Sequence, residues 1–128
     1  MKQTILVPGV ARLPQFSSAV RSGDFLFLSG VLGTQPDSMD LVEGGIGPQT
    51  KQALENLRTV LRACGAELSD VVKCTVFLAD MADFAAMNEA YAKVFGTTNP
   101  PARSSFAAAA LALGARVEIE CIAAAPQR

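Results

Sequence analysis

The 128-residue chain contains no histidine. That removes the commonest general base and the commonest metal ligand together. Its three cysteines, Cys64, Cys74 and Cys121, are far apart and odd in number, with no CxxC pair among them. This argues against a zinc site or a disulfide framework, and free thiols fit a reducing compartment. Lysine and arginine total 11 and are scattered singly, against 12 acidic residues, for a net charge of −1 and a pI of about 5.3. A nucleic-acid binder needs a positive footprint to neutralise phosphates, so no nucleic-acid partner is expected. No apolar run reaches the length of a membrane span, so no membrane partner is expected either. The opening segment MKQTILVPGVARLPQF is too short and too interrupted, at Pro8, for a signal peptide. A cytoplasmic protein without a metal is the expectation.

Apolar material, by contrast, is plentiful. Half the residues are hydrophobic, 18% are charged, and the mean hydropathy is +0.29. At this length one domain, 1–128, is expected. A small interior cannot absorb so much apolar surface, so part of it is expected in a subunit interface.

The sequence pattern predicts an α+β fold. Two apolar runs flank Ser22-Gly23-Asp24, which reads as a hairpin turn. Phe25 to Leu28 is apolar at every position, so both faces of that strand want cover. Residues 33–47 read as loop. The next segment, GPQTKQALENLRTVLRACGA, places Ala53, Leu54, Leu57, Val60, Leu61 and Cys64 at helical spacing, with Pro48 in the first turn and Gly65 just past the end. Residues 71–80 read as a strand that is apolar on both faces. Asp80 and Asp83 mark the start of a second helix carrying Phe84, Met87, Tyr91, Val94 and Phe95, which ends at Gly96. The stretch from Ser104 to Leu113 fits either a helix, by its alanines, or a short strand. The closing RVEIECIAAA alternates: Val117, Ile119, Cys121 and Ala123 point one way and Arg116, Glu118 and Glu120 the other. Two helices cover only one face of such a sheet, so the apolar remainder predicts a homo-oligomer.

Few residues are candidates for chemistry, since no Gly-rich phosphate loop and no GxSxG is present. Arg103 follows Pro100-Pro101, which stiffen its approach, and a guanidinium suits bidentate grip on a carboxylate. Local sequence alone favours a solvated loop arginine. Glu118 and Glu120 share a strand face, roughly 7 Å apart by strand geometry. Either carboxylate could take a proton from water, or the pair could mark a solvated edge. Ser29-Gly30 could offer a backbone N–H to an anion, or make a strand-end turn. Asn88 reads as a binding residue or a surface polar group. The cysteines fall on apolar faces, as small core residues do.

Four segments, in this order, accumulate into a pattern: SGVLG at 29–33, VVKCTVFLADMADFAAMNEAYAKVF at 71–95, NPPARSSF at 99–106 and RVEIECIA at 116–123. From about Leu13 to Ala124 the chain resembles the RidA/YjgF family of enamine and imine deaminases. The resemblance implies a chorismate-mutase-like mixed sheet with two helices on one face, assembled as a homotrimer with its sites between subunits. It also implies that the segment after Ser104 starts as a strand. By resemblance, Arg103 grips the substrate carboxylate, with the Gly30 N–H after Ser29 assisting. Glu118 is implied as the acid beside the water and Asn88 as a polar neighbour. The implied reaction is hydrolysis of 2-imino acids to 2-keto acids and ammonia, with imino and keto acids as the small-molecule partners.

Three positions depart from the family pattern. Phe16 stands where a tyrosine is frequent, Val31 where a glutamine is, and Ser105 where a cysteine is. Phe16 and Ser105 remain candidate substrate contacts. A protonated imine is already electrophilic, so orientation and electrostatics suffice without histidine, metal or cofactor. A non-catalytic binding protein for small carboxylates, using the same cleft, is the alternative reading.

Overall fold

A computed structural model describes residues 1–10 and 12–126. The strands are β1 (Lys2–Ile5), β2 (Ala19–Ser22), β3 (Phe25–Leu32), β4 (Val71–Leu78), β5 (Ala102–Ala107) and β6 (Val117–Ala124). The helices are α1 (Ile46–Ala63), between β3 and β4, and α2 (Phe84–Phe95), between β4 and β5. One mixed sheet of order β1-β2-β3-β6-β4-β5 results, with β4 and β5 parallel and the other neighbours antiparallel. With both helices on one face, this is the α+β architecture expected.

Local chemistry explains most of these boundaries. Gly23 turns β2 into β3 with φ 60°, a left-handed conformation that glycine adopts without a Cβ clash. Pro48 lies in the first turn of α1, where a missing N–H costs nothing. Gly65 closes that helix at φ 79°, its N–H donating to the Arg62 carbonyl at 3.0 Å while Ala66 donates to Leu61 at 2.9 Å. At the head of α2, the Asp80 carboxylate accepts from the Ala82 N–H at 2.9 Å.

The apolar stripe of α1 (Ala53, Leu54, Leu57, Val60, Leu61) is buried against the sheet and joins Leu26, Leu28, Val76, Leu78, Val117 and Ile119 in one core. All three cysteines are buried and free. The alternation in β6 holds: Val117, Ile119, Cys121 and Ala123 are buried on the helix side. The opposite face keeps Phe25, Phe27 and Phe106 44–49% exposed, and Phe77 meets Phe106 edge to face at 5.2 Å. No described helix is long and apolar enough to cross a membrane.

One open reading is settled, one expectation is corrected and one strand is new. The alanine-rich stretch begins as strand, as the resemblance implied: Ala102–Ala107 pair residue by residue with Lys73–Leu78. That ladder outweighs helix preferences worth only about 0.7 kcal/mol per residue or less. The strand read at 71–80 stops at Leu78, because Asp80 already caps the following turn. β1 was not anticipated; it is four mostly exposed residues whose order comes from pairing with β2.

Candidate functional site

The Glu118 side of the site is built around an irregularity in β3. Leu28 pairs with Cys121 and Val31 with Ile119, so Ser29 and Gly30 together face the single residue Glu120. Ser29-Gly30 is thus a bulge inside β3 and not the strand-end turn that the sequence suggested, and such bulges re-aim a strand locally. The Ser29 hydroxyl donates to the Ser17 carbonyl at 2.6 Å and its N–H to Ser18 at 3.1 Å. Ser29 therefore pins the segment that carries Phe16. Arg12 secures the same segment, its Nη1 donating to the Leu13 and Phe16 carbonyls at 3.0 and 3.1 Å.

The half-buried Glu118 carboxylate packs over Gly30, and a Cβ at Gly30 would overlap it. Burial, and secondarily the Glu120 charge, holds the Glu118 carboxyl above the usual carboxylate range. A carboxylate so placed is a stronger base than one in water. It opens on a cleft of about 820 Å³ whose lining includes Phe16, Ser29, Gly30 and Glu120.

The Arg103 side forms elsewhere. Arg103 pairs with the buried Cys74 across β5 and β4, and so projects toward α2. Its guanidinium carbon lies 4.7 Å from the centre of the Tyr91 ring and 5.7 Å from that of Phe84. Cation–π contact fixes the side chain without neutralising it. No carboxylate pairs with Arg103 among the described residues. Asn88 is exposed between Phe84 and Tyr91 in helical register, on the same side of α2. Ser105 follows Arg103 on the same face of β5, its Oγ buried without a hydrogen-bond partner among the described residues. Burial raises the Tyr91 pKa.

The sequence-predicted residues thus form two groups. Phe16, Ser29, Gly30 and Glu118 meet in the cleft; Arg103, Asn88 and Ser105 gather beside α2 and do not line it. The strand register places the groups on opposite sheet faces. Glu118 shares its face with Phe77 and Phe106, whereas Arg103 shares its own with Cys74 and Cys121. Sequence reasoning missed Phe84 and Tyr91 as supports of Arg103, having read them only as an apolar stripe; their helical spacing around Asn88 was the available signal. Among the described residues no three His, Cys, Asp or Glu side chains gather to hold a metal ion.

Comparison with known proteins fits this fold. Residues 9–125 match the family described as Endoribonuclease L-PSP. Reactive Intermediate Deaminase A, chloroplastic, of Arabidopsis thaliana is 48% identical over 113 residues, 88% of this chain and 60% of that protein. The chain therefore spans less than two thirds of that relative's length. The 2-iminobutanoate/2-iminopropanoate deaminase of Mus musculus is 45% identical over 113 residues, covering 88% of this chain and 83% of its own. The crystal structure of the YjgF gene product of E. coli superposes with a TM-score of 0.86 at 31% identity, covering 97% of this chain and 99% of that one. The chain belongs to the RidA/YjgF family. One relative is chloroplastic by name, so membership of the family does not fix a cytoplasmic location.

Proposed function

We propose that this chain hydrolyses reactive 2-imino and enamine acids to 2-keto acids and ammonia, in clefts shared between the copies of a homotrimer. The observation that carries the reading is Arg103, a guanidinium oriented by two aromatic rings and without an ion-pair partner among the described residues. Such a group suits bidentate capture of a planar carboxylate. The names of the Arabidopsis and mouse relatives support the same chemistry.

The shared cleft follows from the two groups of residues. One copy supplies Arg103, Asn88 and Ser105, and the next supplies Phe16, Ser29, Gly30 and Glu118. The exposed phenylalanines of the open sheet face give a second copy an apolar surface to cover. Arg103 and the Gly30 N–H hold the substrate carboxylate. Water adds to C2 of the iminium and gives a proton to Glu118. Glu118 passes that proton to the nitrogen of the resulting carbinolamine. The C–N bond then breaks, the ketone forms, and the hydroxyl proton ends on the departing ammonia. Orientation and one well-placed base account for the acceleration.

The family description names an endoribonuclease, but a chain with net charge −1 and no histidine lacks both a phosphate-neutralising surface and the usual base for that activity. The test is semicarbazide trapping of an imine released by a dehydratase. Added protein is expected to lower semicarbazone formation, and Arg103→Ala to abolish the effect with assembly intact. Binding of keto acids without turnover of any imine would replace hydrolysis by the carboxylate-binding reading.

A further inference from the structure

Imine hydrolysis begins and ends with positive charge on the C2 nitrogen. Only a protonated imine is a strong electrophile toward water, and only a protonated nitrogen leaves readily. None of the groups assigned so far faces that charge. Arg103 and the Gly30 N–H are committed to the substrate carboxylate, and Glu118 to the water. Glu120 is the suited group left over. It lies on the face of β6 that carries Glu118, about 7 Å along the strand, and lines the same cleft.

The β3 bulge sets Glu120 within reach of that nitrogen. Ser29 and Gly30 together face Glu120 across the β3–β6 ladder. An acid whose carboxylate rests on the Gly30 N–H therefore lies across from Glu120, and neighbouring strands are only about 4.8 Å apart. Glu118 leans toward Gly30 as well, since its carboxylate oxygen fills the place of the missing Cβ. The two carboxylates thus converge, and the Glu120 charge adds to burial in raising the Glu118 pKa. On its other side Glu120 faces Thr75 of β4, which carries no charge. Lys73 of β4 stands opposite Ile122 and donates from Nζ to the Ser104 hydroxyl of β5 at 3.0 Å, so it points away from β6. No ion pair joins either glutamate to a cation among the described residues. This end of the cleft therefore presents uncompensated negative charge.

We infer that Glu120 is a further catalytic residue, whose carboxylate faces the C2 nitrogen and keeps it protonated, first as the iminium and then as the departing ammonium. This rests on the imine-hydrolysis reading and adds a residue to it. Glu120 exchanges no proton. It accepts charge-assisted hydrogen bonds from the nitrogen, while the proton of the attacking water still passes to Glu118 and from there to the nitrogen. The two glutamates divide the work: Glu118 moves the proton, and Glu120 holds the charge on nitrogen and makes Glu118 a stronger base.

The test compares wild type with Glu120→Gln, which keeps the shape and removes the charge. By semicarbazide trapping, kcat/KM is expected to fall at least about tenfold. The acid limb should move to lower pH, because a like charge no longer raises Glu118. Glu120→Asp keeps the charge and should retain more activity than Glu120→Gln. Calorimetry gives a readout independent of turnover. Wild type should bind L-2-aminobutanoate, whose C2 nitrogen is an ammonium, at least about tenfold more tightly than L-2-hydroxybutanoate. Glu120→Gln should remove that preference without weakening 2-oxobutanoate. Full activity of Glu120→Gln overturns the inference and leaves hydrolysis standing. A preference that survives the substitution also overturns it. So does an equal loss for all three ligands with weakened assembly by native mass spectrometry, which would pair Glu120 with a cation of the neighbouring copy. If Glu120→Gln does not assemble, the wild-type preference decides, its absence overturning the inference. Turnover of no imine by wild type removes the hydrolysis reading, and the same preference then decides whether Glu120 faces a cation.

Discussion

Replacing Gly30 by alanine separates the position of a base from the stability of the fold. Gly30 lies outside the left-handed region, so the backbone accepts alanine. The new Cβ would overlap the Glu118 carboxylate oxygen and lie 3.0 Å from Cδ and 3.1 Å from Cγ of the same side chain. These atoms belong to a flexible chain that can swing aside. Displacing it from its rotamer costs about 1 kcal/mol, and a Tm loss of roughly 2–8 °C follows. Catalysis depends more steeply on geometry. A base moved by about 1 Å loses on the order of a hundredfold in kcat/KM. The pH profile provides a second signature. On the proposed mechanism Glu118 must be ionised to accept a proton, and burial raises its pKa, so the wild-type acid limb is expected above the ordinary carboxylate range. In Gly30→Ala the carboxylate is pushed toward water, so that limb moves to lower pH. The assay is kcat/KM by semicarbazide trapping across pH, with thermal unfolding alongside. A folded Gly30→Ala protein within threefold of wild type, with an unshifted acid limb, would refute the placement of Glu118 as the base.

Three other substitutions test separate parts of the account. Tyr91→Leu removes a ring beside Arg103 and is expected to raise KM about three- to thirtyfold, while Tyr91→Phe keeps the ring and stays within about threefold; steady-state kinetics decides. Gly33→Ala would put a Cβ 2.7 Å from the Gln49 Cα, backbone that cannot swing away, and should cost about 1–3 kcal/mol in denaturant unfolding. Thr50→Val removes a fully buried hydroxyl that has no partner among the described residues, and should stabilise the chain by about 1 kcal/mol, read as a higher Tm.

Much of the fold was legible because burial imposes periodicity. The alternation Val117, Ile119, Cys121, Ala123 gave the two faces of β6, and the helical spacing of Leu54, Leu57 and Leu61 gave the buried stripe of α1. β1 was hidden, and the residues of β5 left helix and strand open until the family resemblance implied a strand, because each takes its order from a neighbour: Lys2–Ile5 from β2, and Ala102–Ala107 from β4. The site was legible in its residue types and not in its arrangement. NPPARSSF draws attention to Arg103, but the side of the sheet it faces depends on pairing with Cys74, and its support by Tyr91 depends on how α2 packs. The bulge at Ser29-Gly30 and the left-handed Leu113 leave no periodic trace, since each is set by local backbone geometry.

The central claim is that one copy's Arg103 and another copy's Glu118 complete each cleft. Subunit mixing tests it most directly. Arg103→Ala and Glu118→Gln proteins, each inactive alone, are unfolded together and reassembled at equal concentration, with mixed assemblies verified by native mass spectrometry. If each site draws Arg103 and Glu118 from different copies, about one quarter of sites regain both residues, and activity should return to about a quarter of the wild-type value. Mixed assemblies that form and remain inactive would contradict the shared cleft.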